Sequence, residues 1–220
     1  GAARSTVLLA NATGADFADA ASIASDVSKL WSIDAGDLTH AVDGITAATV
    51  ASKFNINDYR LALAQAGGVA STVGVSFDDF NATIAAISPS FASGSDAGTS
   101  FKVFLQRLVP SSDKATEAMQ ELGLITINYQ KAAEALSKGL GRTVEPSLGG
   151  VSMALEEVKK KTGQTKLTYS EFIAQFKENQ FFDAAGNMKD MSQVVGLLNK
   201  AFTGLTEEQK NQQLSIIFGT

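Results

Sequence analysis

The sequence predicts an all-α protein, a compact multi-helix domain of short amphipathic helices joined by short Gly, Asn and Asp turns. Three observations carry that expectation. Only three prolines occur in 220 residues, at 89, 110 and 146, and alanine, the strongest helix former, is abundant. Apolar residues recur at helical spacing between cap signals and glycine stops. The third is the scarcity of strand pattern: Leu124-Ile125-Thr126-Ile127 alone reads as β-like, and it is short enough to predict an extended connection rather than a sheet.

Taken in order, Phe17, Ala20, Ala24, Val27 and Leu30 trace the face of a first helix. Leu38, Val42, Ile45 and Thr49 trace a second, capped at or near Asp34 or Asp37. Asn57-Asp58 opens a third, with Ala62, Ala66, Val69 and Val73 inward and Gly74 as its stop. Ser76 with Asp79 has the spacing of a capping box before Phe80, Ile84 and Ile87, and Ser88-Pro89 ends that helix. In Gly94-Ser95-Asp96-Ala97-Gly98-Thr99, Gly94 offers a permissive backbone and Ser95 or Thr99 can cap. A helix then follows with Phe101, Phe104, Leu105 and Leu108, an apolar arc wide enough to need central burial or a partner.

Ser111-Ser112-Asp113 caps the next helix, with Ala115, Met119 and Leu122 inward and a stop at Gly123. Tyr129, Ala132, Ala133 and Leu136 predict a helix ending at Gly139, with Gly139 to Pro146 as loop. Val151, Ala154, Leu155 and Val158 give another, closed by Thr162-Gly163. Thr168 with Glu171 is a second capping box, ahead of Phe172, Ile173 and Phe176. After the turn Asp183-Ala184-Ala185-Gly186 comes a helix with Met191, Val194, Val195, Leu198 and Phe202, closed by Gly204. Thr206 with Gln209 then boxes a last helix carrying Leu214, Ile217 and Phe218.

The residues carry no catalytic signature. A net charge of −5 with no basic run longer than Lys159-Lys160-Lys161 argues against phosphate-driven nucleic-acid binding; that triplet suits a helix C-terminus. The absence of cysteine removes disulfides, thiolate metal sites and thiol nucleophiles. No apolar run approaches the ~18–20 residues of a membrane span. The single histidine, His40, lies near Asp43 and reads as hydrogen-bonded or solvated. Asp78 and Asp79 fall in a first helical turn, where they complement the dipole. The segment around 183–190 fails the calcium-loop pattern, with Ala185 at the third position and Val194 at the twelfth. Gly139-Leu140-Gly141 lacks the third glycine of a dinucleotide fingerprint. Gly67-Gly68 reads as a close packing point or kink. Met119, Met153, Met188 and Met191 read as core fillers, and the thirteen phenylalanines as core or oligomer seam, with core the default.

Several segments, in this order and spacing, resemble the core domain of phage tail tape measure proteins of the TP901 type. They are Gly74-Val75-Ser76, Gly94-Ser95-Asp96-Ala97-Gly98-Thr99, Arg107-Leu108, Leu122-Gly123-Leu124, Asp183 to Gly186, and Phe218-Gly219. The resemblance covers 1–128 and 180–220, and leaves 129–179 as an inserted helical section. It implies a structural, non-enzymatic segment that needs no cofactor or metal, located in the virion tail of a siphovirus-like phage or prophage after synthesis in the host cytoplasm. Such a segment helps set tail length and assembly and acts in genome ejection. The implied partners are tail tube protein, tail assembly chaperones and tail-tip hub proteins, with self-association as a trimer or hexamer. The opening Gly-Ala-Ala-Arg, without an initiating Met or a signal-peptide core, is expected to mark a piece of a longer protein, with Gly1 a cleavage scar. A helical adaptor or binding domain unrelated to phage tails is the alternative expectation, and a cell-wall enzyme the third.

Overall fold

Caps and glycine stops divide the chain into twelve α-helices among the described residues, which in this computed structural model are 2–163 and 166–219. The helices are α1 (Ala2–Thr13), α2 (Phe17–Trp31), α3 (Leu38–Ala51), α4 (Ile56–Thr72), α5 (Phe77–Ile87), α6 (Gly94–Arg107), α7 (Asp113–Glu121), α8 (Tyr129–Leu140), α9 (Leu148–Thr162), α10 (Tyr169–Ala174), α11 (Met191–Phe202) and α12 (Glu207–Phe218). Two short strands, β1 (Ile125–Ile127) and β2 (Lys177–Asn179), accompany them. The protein is all-α, as its sequence predicts. Contacts gather the chain into two compact units, one of residues up to Ser111 together with those from Phe181, the other Ser112–Gln180.

In the first unit α1, α2 and α3 pack together, α3 lies along α5, and α4 crosses α6. Ile23, Val27, Ile45, Tyr59, Phe80 and Ile84 are buried among them. Trp31 lies 5.3 Å from Phe77 and 5.2 Å from Phe80, ring centre to ring centre, and its Nε1 donates to the Val75 carbonyl at 2.8 Å. The segment before α11 is a tight turn. Asp183 Oδ1 accepts from the amides of Ala185 and Asn187 at 2.9 and 2.8 Å, Gly186 takes φ +86°, and Phe182 pairs with Met188 across it.

Several expectations are corrected here. The stretch preceding Phe17, for which the sequence suggests nothing, forms α1. That helix buries Ser5 and Thr6 beside Leu9 and exposes Val7 and Leu8, so burial and polarity follow different faces. Ser5 Oγ meets Thr39 Oγ1 of α3 at 3.3 Å, which satisfies the buried hydroxyl. Phe17 is 55% exposed rather than inward, and Met153 is 70% exposed rather than a core filler; both stand at positions whose neighbours Ala20 and Ala154 already fill the interior. Thr168 and Thr206 form reciprocal capping boxes, whereas Ser76 caps in one direction only. Ser76 Oγ accepts from Asp79 N at 3.0 Å, but the Asp79 carboxylate turns away and accepts from Met191 N at 3.2 Å, at the start of α11.

In the second unit α8 lies along α9, and Ala132, Ala133, Leu136, Val151, Ala154, Leu155, Phe172 and Ile173 form its core. α8 ends at Gly141, in the left-handed conformation at φ +66°, two residues beyond the expected stop at Gly139. The expected extended connection at 124–127 is in fact a strand. β1 pairs antiparallel with β2 in the register Ile125 with Asn179, Thr126 with Glu178 and Ile127 with Lys177. Its partner, Lys-Glu-Asn, has no apolar alternation, so the pair is invisible to patterning. What holds it is polar: Asn128 Nδ2 and Lys131 Nζ each donate to Glu178 Oε1 at 2.8 Å, and Asn128 Oδ1 also caps α8.

Candidate functional site

The segment that stands out most in the sequence, residues 94–99, is not a turn before a helix. It is the opening of α6 itself. The cap is Ser93, whose Oγ accepts from Asp96 N at 3.2 Å and donates to Asp96 Oδ2 at 2.9 Å. Ser95 and Thr99, the expected caps, lie within the helix with no capping bond. Their places are taken because Ser93 already supplies the acceptor one residue upstream. The Ser-x-x-Asp spacing of 93 and 96 was legible and is the signal that the sequence reading passed over.

Gly94, Ala97 and Gly98 are buried, and the two glycines face the backbone of α4. A Cβ on Gly94 would stand 1.8 Å from the Asp58 carbonyl oxygen, and one on Gly98 would stand 2.7 Å from that of Ala62. Four residues separate the glycines and four separate their partners, so the i, i+4 rows of the two helices mesh without side chains between them. Asp58 seals the upper end, its Oδ1 accepting from Gly94 N at 3.1 Å. Nothing in the sequence marked Asp58 for this part. The segment is therefore a packing device: it lets two helices touch main chain to main chain.

Other singled-out residues are placed as follows. Gly74 takes φ +90° after α4, and Val75 N closes the turn onto the Ala70 carbonyl at 2.9 Å. Leu108 is fully buried at the end of α6. Arg107 donates to Ser111 Oγ, and its Nη2 lies 3.8 Å from where a Cβ on Gly219 would be, a cation beside the C-terminus of α12. Gly219 is the left-handed cap of that helix at φ +72°. Leu122 and Gly123 end α7, with Leu124 N returning to the Met119 carbonyl at 2.8 Å.

Phe218 stacks on Phe104 at 5.4 Å with 20° between the rings. Together with Thr99 and Val103 of α6, Leu198 of α11 and Leu214 of α12 they line an open, mainly apolar groove of about 410 Å³. Its walls suit an apolar side chain, and the hydroxyls of Thr99 and Ser100 are its polar side-chain groups. Among the described residues no three His, Cys, Asp or Glu side chains come together as a metal site, and no helix is long and apolar enough to cross a membrane.

The perturbed titrating groups have structural causes. Burial pushes the Tyr59 hydroxyl well up, and it donates to Asn81 Oδ1 at 2.7 Å. Tyr169 is pushed up to about 12, first by burial and then by the neighbouring Tyr129 side chain. Glu178 is held below the usual range chiefly by Lys131 and then Asn128. Asp183 is held low by the Asn187 amide and side chain. His40 meets Asp78 at 3.3 Å on the exposed rim between α3 and α5, where Asp78 also lines a shallow pocket of small residues.

The sequence profile of a family described as phage-related minor tail protein matches residues 1–219. A protein named tape measure protein, from Pneumococcus phage Dp-1, is 21% identical over 211 residues, 96% of this chain and 14% of that protein. The chain thus spans about one-seventh of that relative's length. No solved structure matches it.

Proposed function

We propose that this chain, which belongs to the phage-related minor tail protein family, is a structural, non-enzymatic module of a tail tape measure protein that helps set tail length and assembly and acts in genome delivery. The observation that carries this reading is the similarity to a tape measure protein along nearly the whole chain, 211 residues. The architecture is consistent with it: the distinctive residues are spent on helix packing and helix ends. The partners of this reading are tail tube protein, tail assembly chaperones and tail-tip hub proteins, with self-association as a trimer or hexamer in the virion tail. Residues 1–128 and 180–220 are the core helical region of that module, and 129–179 is a section added to it.

A length-measuring segment must be extended, yet this one is folded into short helices. Drawn out as one continuous helix, 220 residues would span about 330 Å at ~1.5 Å per residue. The measuring is therefore assigned mainly to longer helices elsewhere in the protein, and this module contributes by anchoring assembly rather than by its own span. Deleting the corresponding codons from the phage and measuring tails by electron microscopy tests this. Tails of unchanged length are expected, and tails shortened by the full helical span would refute the assignment. Incubating the purified chain with peptidoglycan should release nothing; soluble fragments would contradict the non-enzymatic role.

A further inference from the structure

Antiparallel strands need only a short hairpin turn to join them. β1 and β2 are antiparallel, yet 129–175 lie between the ends of their ladder. The pairing begins where the Gln180 amide donates to the Leu124 carbonyl at 2.8 Å. It runs through the three pairs of the register to Asn128, whose amide donates to the Phe176 carbonyl at 2.9 Å. The chain therefore leaves this ladder at Asn128 and re-enters it at Phe176, one hydrogen bond away. Everything between stands in the place of a turn.

What fills that place has an interior of its own. Among the described residues, every member of the core built by α8, α9 and α10 lies between Ala132 and Ile173. The partly buried apolar side chains packed on that core run only from Ile127 to Phe176. The helix ends are closed from within as well. Ser147 caps α9, Thr168 and Glu171 box α10, and Ser137 Oγ accepts from Val144 N at 3.0 Å, which folds the loop after α8 back onto that helix. Arg142 and Lys161 both pair with Glu157, again inside the stretch. A link that does leave it stands at the neck, where Lys131 Nζ donates to Glu178 Oε1 at 2.8 Å.

We infer that 129–175 form a self-contained module, borne on β1 and β2 in the place of a hairpin turn, that unfolds as one unit while the rest of the chain stays folded. Two physical reasons favour it. A segment whose ends meet imposes no span on the chain that carries it, so its loss removes no constraint that a short turn would not restore. A core enclosed by roughly fifty residues also sits near the lower limit for folding unaided, so opening it needs less free energy than opening the larger unit. The module follows from contacts within 127–176 and is independent of the tail reading.

The test is amide hydrogen exchange and urea unfolding of the full chain. Leu155→Ala should speed exchange in α8, α9 and α10 together, by roughly tenfold or more. The exchange of α4 and α6 and the urea midpoint of Trp31 fluorescence should stay at wild-type values. A Trp31 midpoint lowered by Leu155→Ala, or exchange that rises in α9 alone, would overturn the proposal. Two further variants replace 129–175, one by Asn-Gly and one by a longer Gly-Ser bridge. Native Trp31 emission with an unchanged midpoint in either one supports the module, and loss of native emission in both would overturn it.

Discussion

The α4–α6 crossing and the α8–α9 pair lay two helices together by opposite means. At the first, Gly94 and Gly98 remove side chains so that main chains touch, and Asp58 and Ala62 are met through their carbonyls. At the second, Leu136, Val151 and Leu155 fill the space between helices, and the glycine nearby is dispensable: a Cβ on Gly139 would make an ordinary 3.9 Å contact with Val158. Volume can be redistributed among neighbouring side chains, whereas a backbone contact leaves nothing to move. The first region should therefore be intolerant of additions and the second of deletions.

Gly94→Ala is expected to have the largest effect, a loss of about 4 kcal/mol or outright failure to fold, because its new carbon would overlap the Asp58 carbonyl. Trp31, the single tryptophan, lies in the same unit and reports the transition by fluorescence. Leu155→Ala should cost about 3 kcal/mol through the cavity it leaves, read from the near-ultraviolet signal of Tyr129 and Tyr169 in the second unit. A cost under ~1 kcal/mol there would mean that side-chain volume does not hold α8 to α9.

Smaller effects sharpen the contrast. Asp79→Ala removes the acceptor at the start of α11 and should cost about 1 kcal/mol in urea unfolding followed through Trp31. Gly196→Ala, mid-helix with open space around it, should instead stabilise by about 0.5–1 kcal/mol. Glu178 supplies a pH dependence. Its folded pKa is depressed, so its contribution is fully present above the ordinary glutamate range and is lost as pH falls through the depressed value. Glu178→Gln should flatten the acid limb of second-unit stability below about pH 4; an unchanged limb would remove Glu178 as the group that fastens β2.

Helix identity was legible wherever one apolar face coincided with a cap and a glycine, as in α9 and α12. It failed where burial ran against polarity. α1 hides Ser5 and Thr6, and its pattern reads as nothing. β2 is charged and polar throughout, and beside its backbone pairing it is fastened by polar contacts, Asn128 and Lys131 to Glu178 and Gln180 to Thr126. The glycines of α6 were visible, but their purpose was not, since helix-opening turns and helix crossings both select glycine. What decides between them is Asp58 and Ala62, some 36 residues away in sequence. Likewise Asp79 looked like half of a capping box, and its actual donor, Met191, lies 112 residues downstream.

The most direct test of main-chain packing at the crossing is equilibrium unfolding of Gly98→Ala, alone and combined with Ala62→Gly, followed by Trp31 fluorescence. A Cβ on Gly98 would press on the Ala62 oxygen and Cα, at 2.7 and 2.8 Å, so a loss of about 2–3 kcal/mol is predicted, and trimming the Ala62 side chain should restore none of it. A Gly98→Ala protein as stable as the wild type, or one rescued by Ala62→Gly, would contradict the account.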